Sequence, residues 1–261
     1  LTLYGMCARD AVAFTAAVQV FGVGIFAPLN WLLEDRHAIV WSAYRVLLPA
    51  SALGFVTAAC FPLSGEHGDH VAILVFVGFC VILFAYTAAF ILSTPSSSNV
   101  HVETAHRPLE FNRASLMTYA LASYAAAIIT FYVGVCSDKV VFMLLTYVHG
   151  VSARRATITG TTLVGLLSLM RVVYYVSTAC APDQGHIPFR RVVLAVPALL
   201  LGSLAGVRVN LALGSKNVMY CFLALLAFDI VSEVRKVHTE WEDASGACVP
   251  LPTPMSCETV L

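Results

Sequence analysis

The stretch "VGVCSDKVVF", Val133 to Phe142, lies inside a long apolar run and sets a Gly, a Ser, an Asp and a Lys where a membrane-crossing helix would be unbroken. From Ser115 to Gly150 the chain is almost wholly apolar, over a length too great for one span and short for two. The simplest geometry is a helix, a break between Gly134 and Asp138, and a second, shorter helix. A charge at the bilayer centre costs about 2.5 to 3.5 kcal/mol on insertion scales, so Asp138 and Lys139 are expected to face protein or a water-filled cavity. An ordinary short loop between two spans, with Lys139 reaching for the interface, satisfies the same pattern. Periodicity alone leaves both readings open.

The rest of the chain sets the environment of that break. Of its 261 residues 59% are hydrophobic and only 11% are charged, with a mean hydropathy of +0.82. A soluble domain is roughly 45 to 50% apolar and about 25% charged, so this is a polytopic, all-α integral membrane protein. Fifteen basic side chains balance fifteen acidic ones, which leaves no footprint for nucleic acid and no charged funnel at the level of the whole chain. The eight cysteines are scattered without a C-x-x-C pair, so neither a zinc site nor a redox pair is expected, and no cofactor is called for. Most of them read as small buried hydrophobes, while Cys248 and Cys257 in the tail are candidates for acylation.

Six runs have the length of about 20 apolar residues that a crossing helix requires. They cover residues 10–33, 39–62, 70–93, 115–135, 156–178 and 189–213, and a seventh follows at 216–236. Between the third and fourth lies the polar linker "STPSSSNVHVETAHRPLEFNR", which cannot remain in hydrocarbon. The expected organisation is a first transmembrane repeat over 1–93, the linker over 94–114, a second repeat over 115–238 and a polar tail over 239–261 that is too polar to pack. The last three residues of that tail, T-V-L, resemble a terminus read by a strand-adding domain.

The halves resemble each other. "PASALG" at Pro49 to Gly54 matches "PALLLG" at Pro197 to Gly202, and Thr15, Gln19 and Gly22 can be laid over Thr161, Gly165 and Ser168. Each half then ends in one more apolar helix. Shared small-residue packing gives the same pattern without duplication. If the repeat holds, the interrupted segment before the second half has no counterpart before the first, and an upstream segment of about 35 residues or more, interrupted in the same way, is expected.

The helix after the break carries polar groups on one side. Steps of about 100° per residue put Thr157, Thr161, Gly165, Ser168, Arg171 and Tyr175 in one stripe, with Leu163, Leu166, Leu167 and Met170 mostly elsewhere. Hydroxyls and a guanidinium offer O–H and N–H donors that can replace the hydration shell of an oxyanion. Interhelical Ser/Thr bonding, with Arg171 reaching toward a helix end, explains the stripe equally well. Thr15 and Gln19 form a shorter stripe of the same kind on the first helix. Asp229 and Glu233 fall toward the end of the last apolar run, where exit into water accounts for them.

With these residues in place, "YVGVCSDKVVFMLLTYVHGVSARRATITGTTLVGLLSL", from Tyr132 to Leu169, resembles the start of the second repeat in the TauE/SafE family of membrane transport proteins. In that family a glycine-rich broken segment of the form G-x-G-S-D leads through a short basic loop into an A-T-x-T-S-like helix start. The matching residues here are Gly134, Ser137 and Asp138, then Arg154, Arg155, Ala156, Thr157 and Thr159. "HIPFRRVVLAVPALLLGSLAGVRVNLAL" resembles the family's next helix. Cys136 and Gly160 depart from the pattern, standing where a glycine and a serine are usual.

The resemblance implies transport of small sulfur-containing anions, sulfite or organosulfonates, by alternating access between two repeats. The expected substrate site comprises Gly134, Ser137, Asp138, Thr157, Thr161, Ser168 and Arg171 with Thr15 and Gln19, while Arg154 and Arg155 attract the anion and Asp138 is placed to carry a coupling proton. The expected partners are a small anion, coupled protons and the lipid bilayer. A seven-helix receptor or sensor is the competing class, with the same helix count but no need for duplicated halves. No H-E-x-x-H, paired aspartates or G-x-S-x-G points to an enzyme.

Overall fold

A computed structural model describes residues 8–34, 39–61, 66–93, 112–134, 136–178, 187–213 and 215–242, all of them helical or in short connections. Most of the linker, residues 94–111, lies outside the described residues. So does the tail from 243 onward, with Cys248, Cys257 and the terminal T-V-L.

The first span is α1 (Ala8–Gln19), a π-helical stretch (Val20–Phe26) and α2 (Ala27–Glu34) in direct succession. Then come α3 (Trp41–Cys60), α4 (Glu66–Ser93) and α5 (Arg113–Val133). The interrupted segment continues as α6 (Ser137–Met143) and a second π-helical stretch (Leu144–Val148). The chain closes with α7 (Ala153–Ser177), α8 (Phe189–Ala212) and α9 (Ser215–Glu242). Six spans are long and apolar enough to cross a membrane, and α9 adds a shorter apolar stretch from Asn217 to Ser232. About seven transmembrane helices with one broken between α5 and α6 is the architecture anticipated from the hydropathy runs.

Contacts fix the direction of every helix. Thr130 touches Ser137 at one end of the interrupted segment and Tyr119 Oη lies 3.1 Å from His149 Nδ1 at the other, so α5 and the short segment run back to back as a hairpin. From Ser137 to Val148 the return leg is about 18 Å long, well short of the roughly 30 Å of hydrocarbon. Helix α7 runs opposite to the first span, because Gln19 meets Ser168 while Trp31 stacks on Arg154. Ser51 faces Ser123 and Ala58 faces Tyr132, which makes α3 parallel to α5. Helix α4 follows the short segment, with Phe76 under Lys139 and Phe90 against Tyr147, and α9 opposes it, with Phe222 on Phe142 and Asp229 on Lys139. Helix α8 follows the first span, Leu199 lying by Gly22 and Ser203 by Asn30.

Burial is inverted relative to a soluble domain, as a lipid solvent requires. The outward faces carry leucine, valine and phenylalanine, such as Leu74, Ile82, Leu194, Leu201, Phe228 and Val231, whereas Ser51, Ser123, Thr130, Thr159, Ser168, Lys139 and Arg171 are enclosed. Helix α7 sits at the centre: 56% of its apolar window is buried, against at most 39% in any other span. Its approach to the first span depends on paired glycines, since a Cβ on Gly165 would fall on the backbone of Gly24.

Candidate functional site

The break is built by residues on both of its sides. Helix α5 starts on Asn112, whose side chain accepts the Ser115 N–H at 2.7 Å, and ends at Gly134 with φ of 102°. That backbone conformation strains any residue with a Cβ, so glycine is required where the chain turns back. Helix α6 then begins with its Ser137 N–H donating to Thr130 Oγ1 at 3.0 Å, while the two hydroxyls share a further bond at 2.8 Å. Thr130 thus satisfies an N–H that the helix start leaves without an intrahelical acceptor. Helix α6 packs against α7 so tightly that a Cβ on Gly160 would stand 2.9 Å from the Asp138 carbonyl oxygen. In this chain a side chain at Gly160 would need α6 or α7 to shift.

Two polar clusters flank the break. In the first, Gln19 Nε2 donates to the Gly134 carbonyl at 3.4 Å and Gln19 Oε1 accepts from Ser168 Oγ at 2.7 Å. Arg171 closes this cluster. It is 2% exposed, its guanidinium lies 5.8 Å from the Phe131 ring centroid, and neither Nε nor Nη2 has a hydrogen-bond partner. A Cβ on Gly134 would meet Arg171 Nη1 at 3.7 Å and the Thr15 methyl at 3.9 Å, which puts the first span, the break and α7 at one point. Arg171 does not reach for a helix end. It stays inside the bundle with donor capacity in hand, and a buried donor without an acceptor is costly.

In the second cluster Lys139, 7% exposed, sets Nζ 3.2 Å from Asp229 Oδ2 and 3.9 Å from Asp138 Oδ1, over the Phe76 ring. This decides between the two readings of Lys139 and corrects the expectation for Asp229. Lys139 does not reach for the interface, and Asp229 does not exit into water; each is held by the other across α6 and α9. The available signal was an acid inside the apolar run "LALLAFDIVS", which needs a partner at membrane depth.

The remaining candidates divide. Thr157 and Thr161 give their hydroxyls to carbonyls of their own helix, at Ala153 and Ile158. Thr159 also bonds within its helix and accepts the Val40 N–H at 3.0 Å, fastening the loop before α3. Ser137 is committed to Thr130. Arg154 and Arg155 lie in the first turn of α7, about 25 Å along the helix from Arg171. The structure therefore brings together Thr15, Gln19, Gly134, Ser168 and Arg171, with Asp138 on the adjoining turn of α6. It leaves Thr157, Thr161, Arg154 and Arg155 elsewhere. Thr130 was not singled out in the sequence, and Asp229 was assigned to a helix end.

Residues 1–231 match the family model described as Sulfite exporter TauE/SafE. No curated protein and no solved structure matches the chain.

Proposed function

The chain belongs to the sulfite exporter TauE/SafE family, and from that premise we propose that it is a secondary transporter of small anions, sulfite or organosulfonates, working by alternating access around the Arg171 cluster. The observation that carries this reading is Arg171, a guanidinium fully enclosed by the bundle, with no carboxylate paired to it among the described residues and two nitrogens without acceptors. An oxyanion supplies acceptors in a fork geometry that suits a guanidinium. Gly134, where the helix is broken, exposes backbone dipoles at the same point, the arrangement transporters use near mid-membrane.

The halves are read as inverted repeats. The first span, α3 and α4 run in alternating directions, and α7, α8 and α9 run in the same succession with every direction reversed. Matched helices of opposite direction support rocking of one half against the other around a fixed site. Asp138 is the proton carrier in this scheme, since it opens α6 next to the break and shares Lys139 with Asp229. Thr15, Gln19 and Ser168 complete the site.

Asp138→Asn tests the scheme in reconstituted vesicles. The expected result is loss of pH-coupled flux of sulfite or a sulfonate. Undiminished flux removes Asp138 from the mechanism, and undiminished flux in Arg171→Gln removes the site.

A further inference from the structure

The cluster around Arg171 contains one charged side chain. Thr15, Gln19, Gly134 and Ser168 are neutral, and among the described residues the recorded ion pairs involve Lys139 and not Arg171. Among the described residues Arg171 therefore has no ion-pair partner. On the next turn of the chain the balance has the opposite sign: two carboxylates, Asp138 and Asp229, share one ammonium, Lys139. With both carboxylates ionised, that group carries one net negative charge beside the break.

On the transporter reading above, we propose that the site selects by charge and admits singly charged anions, hydrogensulfite and alkylsulfonates, over the dianions sulfite and sulfate. Shape separates these ligands only weakly, because sulfate and methanesulfonate are both tetrahedral at sulfur and differ by one oxygen replaced with a methyl group. Charge separates them. A monoanion on Arg171 leaves the cluster neutral, with the acceptors that Nε and Nη2 lack. A dianion satisfies the same donors but leaves one uncompensated negative charge in a low-dielectric interior. Gln19, Thr15 and Ser168 around Arg171 are neutral and cannot cancel that excess charge. An alkyl group, in contrast, meets no penalty among the apolar walls that Phe131 and its neighbours provide.

The test uses the full chain in proteoliposomes with radiolabelled methanesulfonate as tracer and ethanesulfonate or sulfate as competitor. Sulfate is expected to compete at least about tenfold more weakly than ethanesulfonate, a difference of about 1.4 kcal/mol. Flux of total sulfite, divided by methanesulfonate flux at the same pH, is expected to fall as pH rises through sulfite's second ionisation near neutrality; the division removes any proton coupling common to both. Sulfate competing as well as ethanesulfonate overturns the charge selection, and so does a normalised sulfite flux that rises with pH. Uptake of neither sulfite nor methanesulfonate overturns the transporter reading itself and the selection with it. Arg171→Lys, which keeps the charge and loses the fork, is expected to lower uptake while preserving the competitor ratio, and a ratio that collapses to unity in this variant assigns the discrimination to shape.

Discussion

Lys139 on α6 and Asp229 on α9 stand 3.2 Å apart and hold the short helix of the interrupted segment to the last helix of the bundle. Removing Asp229 leaves the buried Lys139 ammonium with only the longer contact to Asp138 at 3.9 Å, which is more costly than the same position filled by an apolar side chain. Asp229→Ala is expected to lower stability by about 1 to 3 kcal/mol, reduced from the fully buried case because Asp229 is partly exposed. The double variant Lys139→Met, Asp229→Leu is expected to recover most of that loss. Thermal unfolding in detergent micelles measures both, and a double variant as unstable as Asp229→Ala contradicts the pairing.

Gly134 and Gly150 are the two described glycines with positive φ, at 102° and 64°, and they separate strain from function. Alanine at either position costs about 1 to 2 kcal/mol for the left-handed backbone. At Gly134 the new methyl also approaches Arg171 and Thr15, whereas nothing lies near Gly150. Gly134→Ala is expected to lose anion flux and Gly150→Ala to retain it at comparable stability. Equal loss in both reduces Gly134 to a turn.

The pair formed by Gln19 and Ser168 joins the first span to α7 beside Arg171. Gln19→Ala and Ser168→Ala are expected to weaken apparent affinity for methanesulfonate by about tenfold, the equivalent of one hydrogen bond to a charged group. Thr157→Val and Thr161→Val, whose hydroxyls bond their own helix, are expected to change it by less than about twofold. Concentration dependence of tracer uptake reads all four. The reverse ranking would return the site to the Thr157 end of the stripe.

Thr130 accepts from the Ser137 N–H and bonds its hydroxyl at the buried break. Thr130→Val keeps the shape and removes both bonds, which is expected to cost about 1 to 3 kcal/mol. Thr130→Ser restores the hydroxyl and is expected to recover most of that. Melting temperature of the three proteins decides it; a valine variant as stable as the parent means that water or another group serves Ser137.

The break itself was legible because Gly134, Ser137 and Asp138 interrupt an apolar run too long for one span, and a lipid solvent penalises each of them. The stripe on α7 was half right for a reason of register. A 100° repeat puts Thr157 and Arg171 on one face of one helix, and the first span follows that face from Trp31 at Arg154 through Gly24 at Gly165 to Gln19 at Ser168; the polar residues of the first span, Thr15 and Gln19, lie only at the Arg171 end, while Thr157 and Thr161 bond their own helix. Asp229 was placed near a helix end by its position in the run. Its partner lies ninety residues earlier in the chain on a different helix, and no local pattern contains that distance.

Hydropathy by itself determined that this chain is a bundle of membrane helices with one interruption, because the bilayer fixes how long an apolar helix must be and where a charge can stand. The motifs from Gly134 to Thr159 gave a resemblance to the family, and the match over residues 1–231 shows it. Tertiary structure alone decided which polar residues share a site, since that depends on helix direction and crossing point: glycine contacts on α7 set the crossing, and antiparallel packing sends Arg154 to one end while it encloses Arg171 at the break.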